Sequence, residues 1–481
     1  MFDAATAQLL QSAPSVPGLN PQDIPALLTR HYANLVSARL RGAVDIPGET
    51  TESWSLERIA DTYELIASLQ TDGTLRKASA FVAGTAQQIL ARRQLALAAG
   101  DILFANIDRD RVDPTIAAAV LFLAAEQYAD AHEAASNIQS QQDGQLYEAT
   151  ILSEDIADLA RGQMENILQR AERWRRPRRD SDFDERALAA LLETLICGVE
   201  MLAAQLLGVP LPLPSSGRFE SPRNAFMRVL ELSAVVDSEY GADLGGNILN
   251  AFVGPHHLAA LLIAAHDGIR EAALMMLPPP DGADPDFWAR WLRFRARSFP
   301  FVWPNHREAI AMDFHQSGKS AVVVLPTGAG KTTVSSIKIA GVLARGGKVV
   351  FLAPTHALVE QLTVDLQEMF PEDILGSVVS SDFDLLFQRD AQLQKIEVMT
   401  PERCLAMLCF APDAFSEVGL LVFDECHLLS PQSGKIRRAL DGMLCLLGFN
   451  HLAPSADLLF LSAMLKNAAE FARWIAEFTG R

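Results

Sequence analysis

Two hydrophobic periodicities divide this chain. From about Pro21 to Arg297 apolar positions recur at helical spacing, rich in Ala and Leu, as in Ile116 to Ala135 and Ala187 to Leu207. Such a stripe gives each helix one apolar side, and the region has almost no alternating strand pattern. The spacing predicts an all-helical N-terminal domain over residues 1–277. Pro210 to Pro222, rich in Pro, Ser and Gly, predicts a possible sub-break within it. Leu277 to Pro285 contains Pro278-Pro279-Pro280-Asp281-Gly282, which must interrupt any helix and predicts the domain boundary. Residues 278–298 then read as a linker and a helix leading into the next domain. No period of about 34 or 40 residues stands out, so no regular solenoid is expected.

After Phe299 the texture changes to short apolar runs separated by helical segments. Ala321–Leu325, Lys348–Leu352, Lys395–Met399, Gly419–Phe423 and Asp457–Leu461 read as strands buried on both faces. Strand and helix alternating in this way predict a three-layer α/β domain over 299–481, with a mostly parallel sheet. Ligands of such domains lie at the carboxyl ends of the strands. The fold class is α plus α/β.

Composition narrows the function classes. Of 481 residues, 49% are hydrophobic, enough for real cores. The formal charge is −18, and the acid is concentrated in the front half: residues 1–295 carry 25 Lys+Arg against 39 Asp+Glu, residues 296–481 carry 16 against 20. Such a balance argues against sequence-blind adhesion to nucleic acid over the whole surface but leaves room for a local groove that tracks a strand. The five cysteines are odd in number and form no C-x-x-C pair, so they read as free thiols of a reducing cytoplasm. The N-terminus lacks the order of a signal peptide, and the most apolar stretches are interrupted by Glu193 and Glu200 or by His266 and Asp267. Neither secretion nor a membrane span is expected.

The chemistry begins at Leu325-Pro326-Thr327-Gly328-Ala329-Gly330-Lys331-Thr332-Thr333, which follows an apolar run and opens a helix-like segment. The glycines let the backbone turn tightly and aim N–H groups at phosphates from the positive end of the helix. Thr327, Gly328, Ala329, Gly330, Lys331, Thr332 and Thr333 would cradle a nucleoside triphosphate, Lys331 reaching the β- and γ-phosphates and the Thr332 hydroxyl holding magnesium. The plain alternative is an ordinary turn before a buried helix. Further on, the apolar strand Gly419 to Phe423 ends in Asp424-Glu425-Cys426-His427. Asp424 would hold the magnesium through water, and Glu425 would orient and deprotonate the attacking water. One carboxylate there could be a mere helix cap; two after a phosphate loop point to catalysis by Glu425, Lys331 and Asp424.

Together these segments resemble the first RecA-like lobe of a superfamily 2 helicase of the DEAD/DEAH type, a P-loop NTPase. Leu325 stands where the strict loop has its first glycine, a position that helicase loops commonly relax. Ala353-Pro354-Thr355-His356-Ala357-Leu358-Val359-Glu360-Gln361 resembles motif Ia and Met399-Thr400-Pro401-Glu402-Arg403 resembles motif Ib. The resemblance implies that Pro354, Thr355, His356, Thr400, Pro401 and Arg403 contact the backbone of one DNA or RNA strand, positioning it without reading sequence. Either segment alone also reads as a strand-to-helix turn with a capping Thr. Leu461 to Trp474 is similar to motif III and the following helix of the superkiller-type (Ski-like) branch, which implies that His427, Ser462 and Ala463 couple the ATP site to the strand. Met464 replaces the usual Thr of that motif. Phe301 to Ile310 aligns with the segment whose Gln commonly reads adenine; His306 occupies that place and cannot reproduce an amide's paired donor and acceptor.

The resemblance covers about residues 300–481 and assigns nothing to the first three hundred. The family continues into a second lobe that supplies arginine fingers, and none is read in residues 1–481. Weak nucleotide binding, slow hydrolysis and no unwinding are therefore expected of these residues alone. The function expected is that of an ATP- and magnesium-dependent helicase or translocase on single-stranded DNA or RNA. High Ala and Arg usage suggests a bacterial, GC-rich source, with genome maintenance or anti-phage defence as the setting. The alternative is a non-catalytic scaffold whose helical domain docks a protein partner and whose lobe is a nucleotide-gated or vestigial platform. A small-molecule kinase would leave the segments at 353–361 and 399–403 unexplained. Arg173-Trp174-Arg175-Arg176-Pro177-Arg178-Arg179 could grip phosphates, but acidic residues follow at once and suggest a solvated connection. The adjacent His256 and His257 read as a helix start after Gly254-Pro255.

Overall fold

The computed structural model describes residues 4–40, 54–97, 106–138, 146–173, 183–211, 218–236, 248–250, 252–326, 330–372, 392–429 and 436–480. The chain forms two units, one of Met1–Met276 with Ala296–Trp303, the other of Leu277–Arg295 with Pro304–Arg481.

The first unit is helical, as the apolar spacing predicts. Pro114–Ala124 illustrates why: Asp113 accepts from the Thr115 N–H at 2.8 Å, Pro114 starts the first turn, and every residue from Thr115 to Ala124 is buried. Within the helix Phe183–Leu207, Glu185–Leu207 is long and apolar enough to cross a membrane, yet 78% of its apolar window is buried inside the unit, as in a core helix. One exception to the helical pattern is an antiparallel pair, β1 (Ala234–Val236) with β2 (Ile248–Asn250). Its three-residue strands are too short for alternation to show in sequence. The helix Val253–Glu271 starts where only glycine fits, since a Cβ on Gly254 would lie 2.1 Å from the Asp108 carbonyl oxygen. Residues 296–303 complete this unit: Leu274 N–H donates to Pro300 O at 2.8 Å, Val302 N–H to Ala272 O at 2.7 Å, and Phe301 stacks on Tyr128.

The second unit is built on a five-stranded, all-parallel sheet. Its strands are β3 (Ala321–Val324), β4 (Lys348–Leu352), β5 (Ile396–Met399), β6 (Val418–Phe423) and β7 (Asp457–Ser462), in the spatial order β3-β7-β6-β4-β5. Every residue of β7 is buried, which is why the sequence shows a continuous apolar run rather than alternation. Phe423 stacks on Phe460, and Phe460 meets Phe471 edge-on, tying β6 and β7 to the last helix, Ala468–Thr479. Leu277–Arg295 belongs to this unit. Asp281 N–H donates to Gln316 Oε1 and Asp284 N–H to Ala344 O, both at 2.8 Å. Trp291, on the helix Pro285–Ala296, is fully buried, stacks on Phe370 and donates its indole N–H to Met369 O at 3.2 Å.

Candidate active site

The carboxyl ends of β3, β6 and β7 bring the predicted phosphate-binding and acidic residues together. After β3, Thr327, Gly328 and Ala329 lie outside the described residues; the chain is described again at Gly330, the N-cap of the helix Lys331–Leu343. Gly330 has φ 83°, and no side chain caps the helix, whose first N–H groups are of the kind that bind anions. A Cβ at Gly330 would lie 2.6 Å from His306 Nε2, so glycine is required there both by the backbone and by a close neighbour. His306 is itself buried, at 2% exposure. The ring that stands in the adenine-reading place of the sequence pattern packs against the phosphate-loop glycine.

Lys331 Nζ donates to Glu425 Oε1 at 2.8 Å. Asp424 N–H continues the sheet by donating to Leu352 O at 2.9 Å, and Glu425 N–H turns back to Asp424 Oδ1 at 2.9 Å. Glu425 has φ 49°, a left-handed conformation uncommon for a residue with a side chain and concentrated at functional sites. Burial, with the neighbouring Glu425 charge, holds the Asp424 carboxyl above its usual range, against the pull of the Glu425 N–H, Lys331 and His427. Burial and the same two carboxylates push the Cys426 thiol up to about 12, which leaves it unreactive. A buried carboxylate whose charged form is disfavoured gains from a cation, and the Thr332 hydroxyl is in the first turn of the helix that Lys331 opens. Among the described residues no cluster of three or more His, Cys, Asp or Glu could hold a metal alone. Asp424 and Thr332 are oxygen ligands of the kind that would hold a magnesium ion.

His427 Nδ1 lies 3.1 Å from Glu425 Oε2 and 3.3 Å from Ser462 Oγ, at the end of β7. Ser462 Oγ also accepts from the Met464 N–H at 3.2 Å. Ala463 is between them in the chain, and the Met464 side chain is exposed.

The remaining predicted residues sit at the ends of β4 and β5. Thr355 caps the helix His356–Met369 by accepting from Leu358 N–H at 3.3 Å, behind the half-buried Pro354, and His356 is exposed. Thr400 caps the helix Pro401–Phe410 through Arg403 N–H at 3.4 Å and is buried, as is Pro401. Arg403 is mostly buried, with its guanidinium 3.7 Å from Glu397 Oε1. Both hydroxyls are thus engaged by their own helices, and Arg403 has a carboxylate neighbour.

Residues 304–471 match the DEAD/DEAH box helicase family. They form a DEAD/DEAH box helicase domain. It belongs to superfamily 2. The ATP-dependent DNA helicase Hel308 of Thermococcus kodakarensis is 29% identical over 184 residues, covering 38% of this chain and 15% of that protein. Hachiman protein HamB of Bacillus cereus is 26% identical over 229 residues, covering 45% of this chain and 20% of that protein. Antiviral helicase SKI2 of Saccharomyces cerevisiae is 29% identical over 181 residues, covering 37% and 13%. The chain spans a fifth or less of the length of each of these three relatives.

The helicase domain also holds a polar centre that its sequence conceals. Lys338, fully buried, shares the three N–H groups of its ammonium among four acceptors, Phe314 O, Gln316 O and Lys319 O at 2.9, 2.9 and 2.7 Å and Asp457 Oδ2 at 3.0 Å. One ammonium therefore fastens the helix begun by Lys331 to the segment entering β3 and to the first residue of β7. A lysine on a helix reads in sequence as solvated. Only Asp457, a carboxylate at the start of an otherwise apolar run, hinted at a buried partner. Of the basic run noted in sequence, Trp174 to Arg179 lie outside the described residues, as do 212–217 of the predicted sub-break.

Proposed function

We propose that the helicase domain binds ATP with magnesium and hydrolyses its β–γ phosphoanhydride, as the ATP-binding lobe of a Ski-like translocase on single-stranded DNA or RNA. The observation that carries this reading is the pairing of Lys331 with Glu425 beside Asp424, at the ends of the two strands where phosphate grip and water activation are needed. Glu425 would orient a water in line with the γ-phosphorus and take its proton, as the bond to the β-phosphate oxygen breaks and the diphosphate leaves. Lys331 would meet the charge that develops on the transferred group. Asp424 and Thr332 would hold a magnesium ion, whose charge would offset that of the phosphates. The likeness to the antiviral helicase SKI2 favours defence over genome maintenance as the setting. We further propose a place in the cytoplasm and a protein partner for the helical unit.

A second reading, a nucleotide-gated platform without turnover, draws on His306, which is buried against Gly330. Measuring phosphate release by wild type and Glu425→Gln, with and without single-stranded DNA and RNA, separates the two. Magnesium-dependent turnover that Glu425→Gln removes supports the hydrolase. Tight ATP binding with no turnover in the wild type favours the platform.

A further inference from the structure

Three helices of the first unit enclose a groove that the nucleotide chemistry does not use. Leu56–Leu69 and Pro222–Ser233 line its sides, with Val253–Glu271 between them, around a cavity of about 610 Å³. That volume is typical of binding clefts. The helix Leu56–Leu69 buries Ile59, Ala60, Tyr63 and Ala67 in the core, yet carries Leu65 and Leu69 one turn apart at 61% and 73% exposure. Across the groove Met227 is 39% exposed, with Leu230 one turn further on. A single exposed leucine needs no explanation, but apolar side chains gathered along one groove mark an interaction site.

The ends of the groove differ in charge. At one end Arg223 lies 3.2 Å from Asp267, a carboxylate that Arg76 shares at 3.6 Å, so this end is not acidic. At the other, His257 Nε2 lies 2.6 Å from Glu64 Oε2, and Gln87 donates to Glu64 Oε1 at 2.5 Å. Both Glu64 oxygens are therefore in use. Asp61 is exposed one turn before Leu65, and burial together with Glu64 and Glu57 holds its carboxyl above the usual range, His257 opposing. A cation brought to this end would find a carboxylate with no ion-pair partner among the described residues, within residues 1–295, which carry 39 Asp+Glu against 25 Lys+Arg.

We propose that this groove binds an amphipathic helix of a partner protein, with apolar side chains at i, i+4 and i+7 against Leu65, Leu69 and Met227 and a lysine or arginine against Asp61. The twelve-residue wall Pro222–Ser233 is about 18 Å long, the length of three helical turns. Helices form its walls, so a partner cannot add a strand by backbone pairing; side-chain insertion into the groove is the mode left. The acidic end repels phosphate, which disfavours nucleic acid as the occupant. The inference is independent of the ATP chemistry.

Two fluorescein-labelled helical peptides of about four turns test it. Both carry leucines at i, i+4 and i+7; one has lysines and the other glutamates in the preceding turn. Titrated against the full 481-residue chain, the lysine peptide binds about tenfold or more tightly than the glutamate peptide. Leu69→Glu removes binding without shifting thermal melting, because that side chain is largely exposed, and Asp61→Lys reverses the preference. Absence of binding, equal binding of the two peptides, or binding that survives Leu69→Glu overturns the proposal. A dimer in sedimentation that Leu69→Glu dissociates overturns it too, by making a second copy the occupant.

Discussion

Lys331 Nζ donates to Glu425 Oε1 at 2.8 Å, joining the start of the phosphate-loop helix to the end of β6. The charge that would grip a triphosphate is thus held by the residue that would activate water. A nucleotide must draw Lys331 away from Glu425, and removing the Glu425 charge removes that competition. Lys331→Ala should weaken nucleotide binding by about tenfold or more, whereas Glu425→Gln should bind as tightly as wild type or a few-fold better and lose hydrolysis. Titration with a fluorescent ATP analogue, beside phosphate release, checks both. Equal affinity of wild type and Lys331→Ala would sink the phosphate-loop assignment.

Gly330 is constrained twice, by φ 83° and by the His306 ring 2.6 Å from where its Cβ would stand. Gly330→Ala should therefore cost about 1–2 kcal/mol from the backbone alone, and more from the clash. Adding His306→Ala should recover the clash but not the backbone part, so the two changes are non-additive. Urea unfolding of the single and double variants measures this. Additive losses would show that the ring has room to move aside.

Much of the helicase domain was legible because a parallel sheet covered on both faces demands consecutive apolar residues. Each predicted run coincides with one of β3 to β7 to within a residue at either end. The phosphate-loop spacing and the paired Asp424 and Glu425 pointed to strand ends, and Lys331, Glu425, His427 and Ser462 do meet there. Contacts between distant segments were not legible. Trp288 and Trp291 announce an apolar helix face but not that it packs on Phe370, so residues 278–298 read as a linker and a helix leading into the next domain, whereas Leu277–Arg295 belongs to the second unit itself. His306 stands at the adenine-reading position of the sequence pattern, and sequence cannot show that its ring also lies against Gly330.

Lys338 is the extreme case of a hidden contact. Lys338→Met would leave Asp457 buried without its counter-charge and three carbonyls without their donor. Removing one partner of a buried pair costs about 3–5 kcal/mol. Burial lowers the Lys338 pKa below its ordinary 10.5, Asp457 opposing. Between the folded value and 10.5 the unfolded chain binds more protons, so wild-type stability gains with rising pH in that window. Lys338→Met should be less stable in urea and lack that alkaline gain. A loss within about 0.5 kcal/mol, the range of surface changes, would mean that the ammonium fastens nothing.

Ser462 is where the nucleotide site reaches the end of β7. Its Oγ accepts from Met464 N–H at 3.2 Å and stands 3.3 Å from His427 Nδ1, which in turn lies 3.1 Å from Glu425 Oε2. This is a continuous polar path from the proposed water-activating carboxylate to the segment resembling motif III. Neither Lys331 nor Asp424 depends on the Ser462 hydroxyl, so Ser462→Ala should leave nucleotide affinity within about twofold and cost about 1 kcal/mol in stability. What it should remove is the stimulation of turnover by single strands. Met464 is 75% exposed, so Met464→Thr should leave melting unchanged and, by returning a hydroxyl to the place where the Ski-like branch carries one, raise that stimulation. Turnover measured against increasing single-stranded DNA and RNA for both variants decides the matter. If Ser462→Ala weakens ATP binding as Lys331→Ala does, the hydroxyl supports the phosphate site itself; if stimulation persists undiminished, the path through His427 carries no coupling.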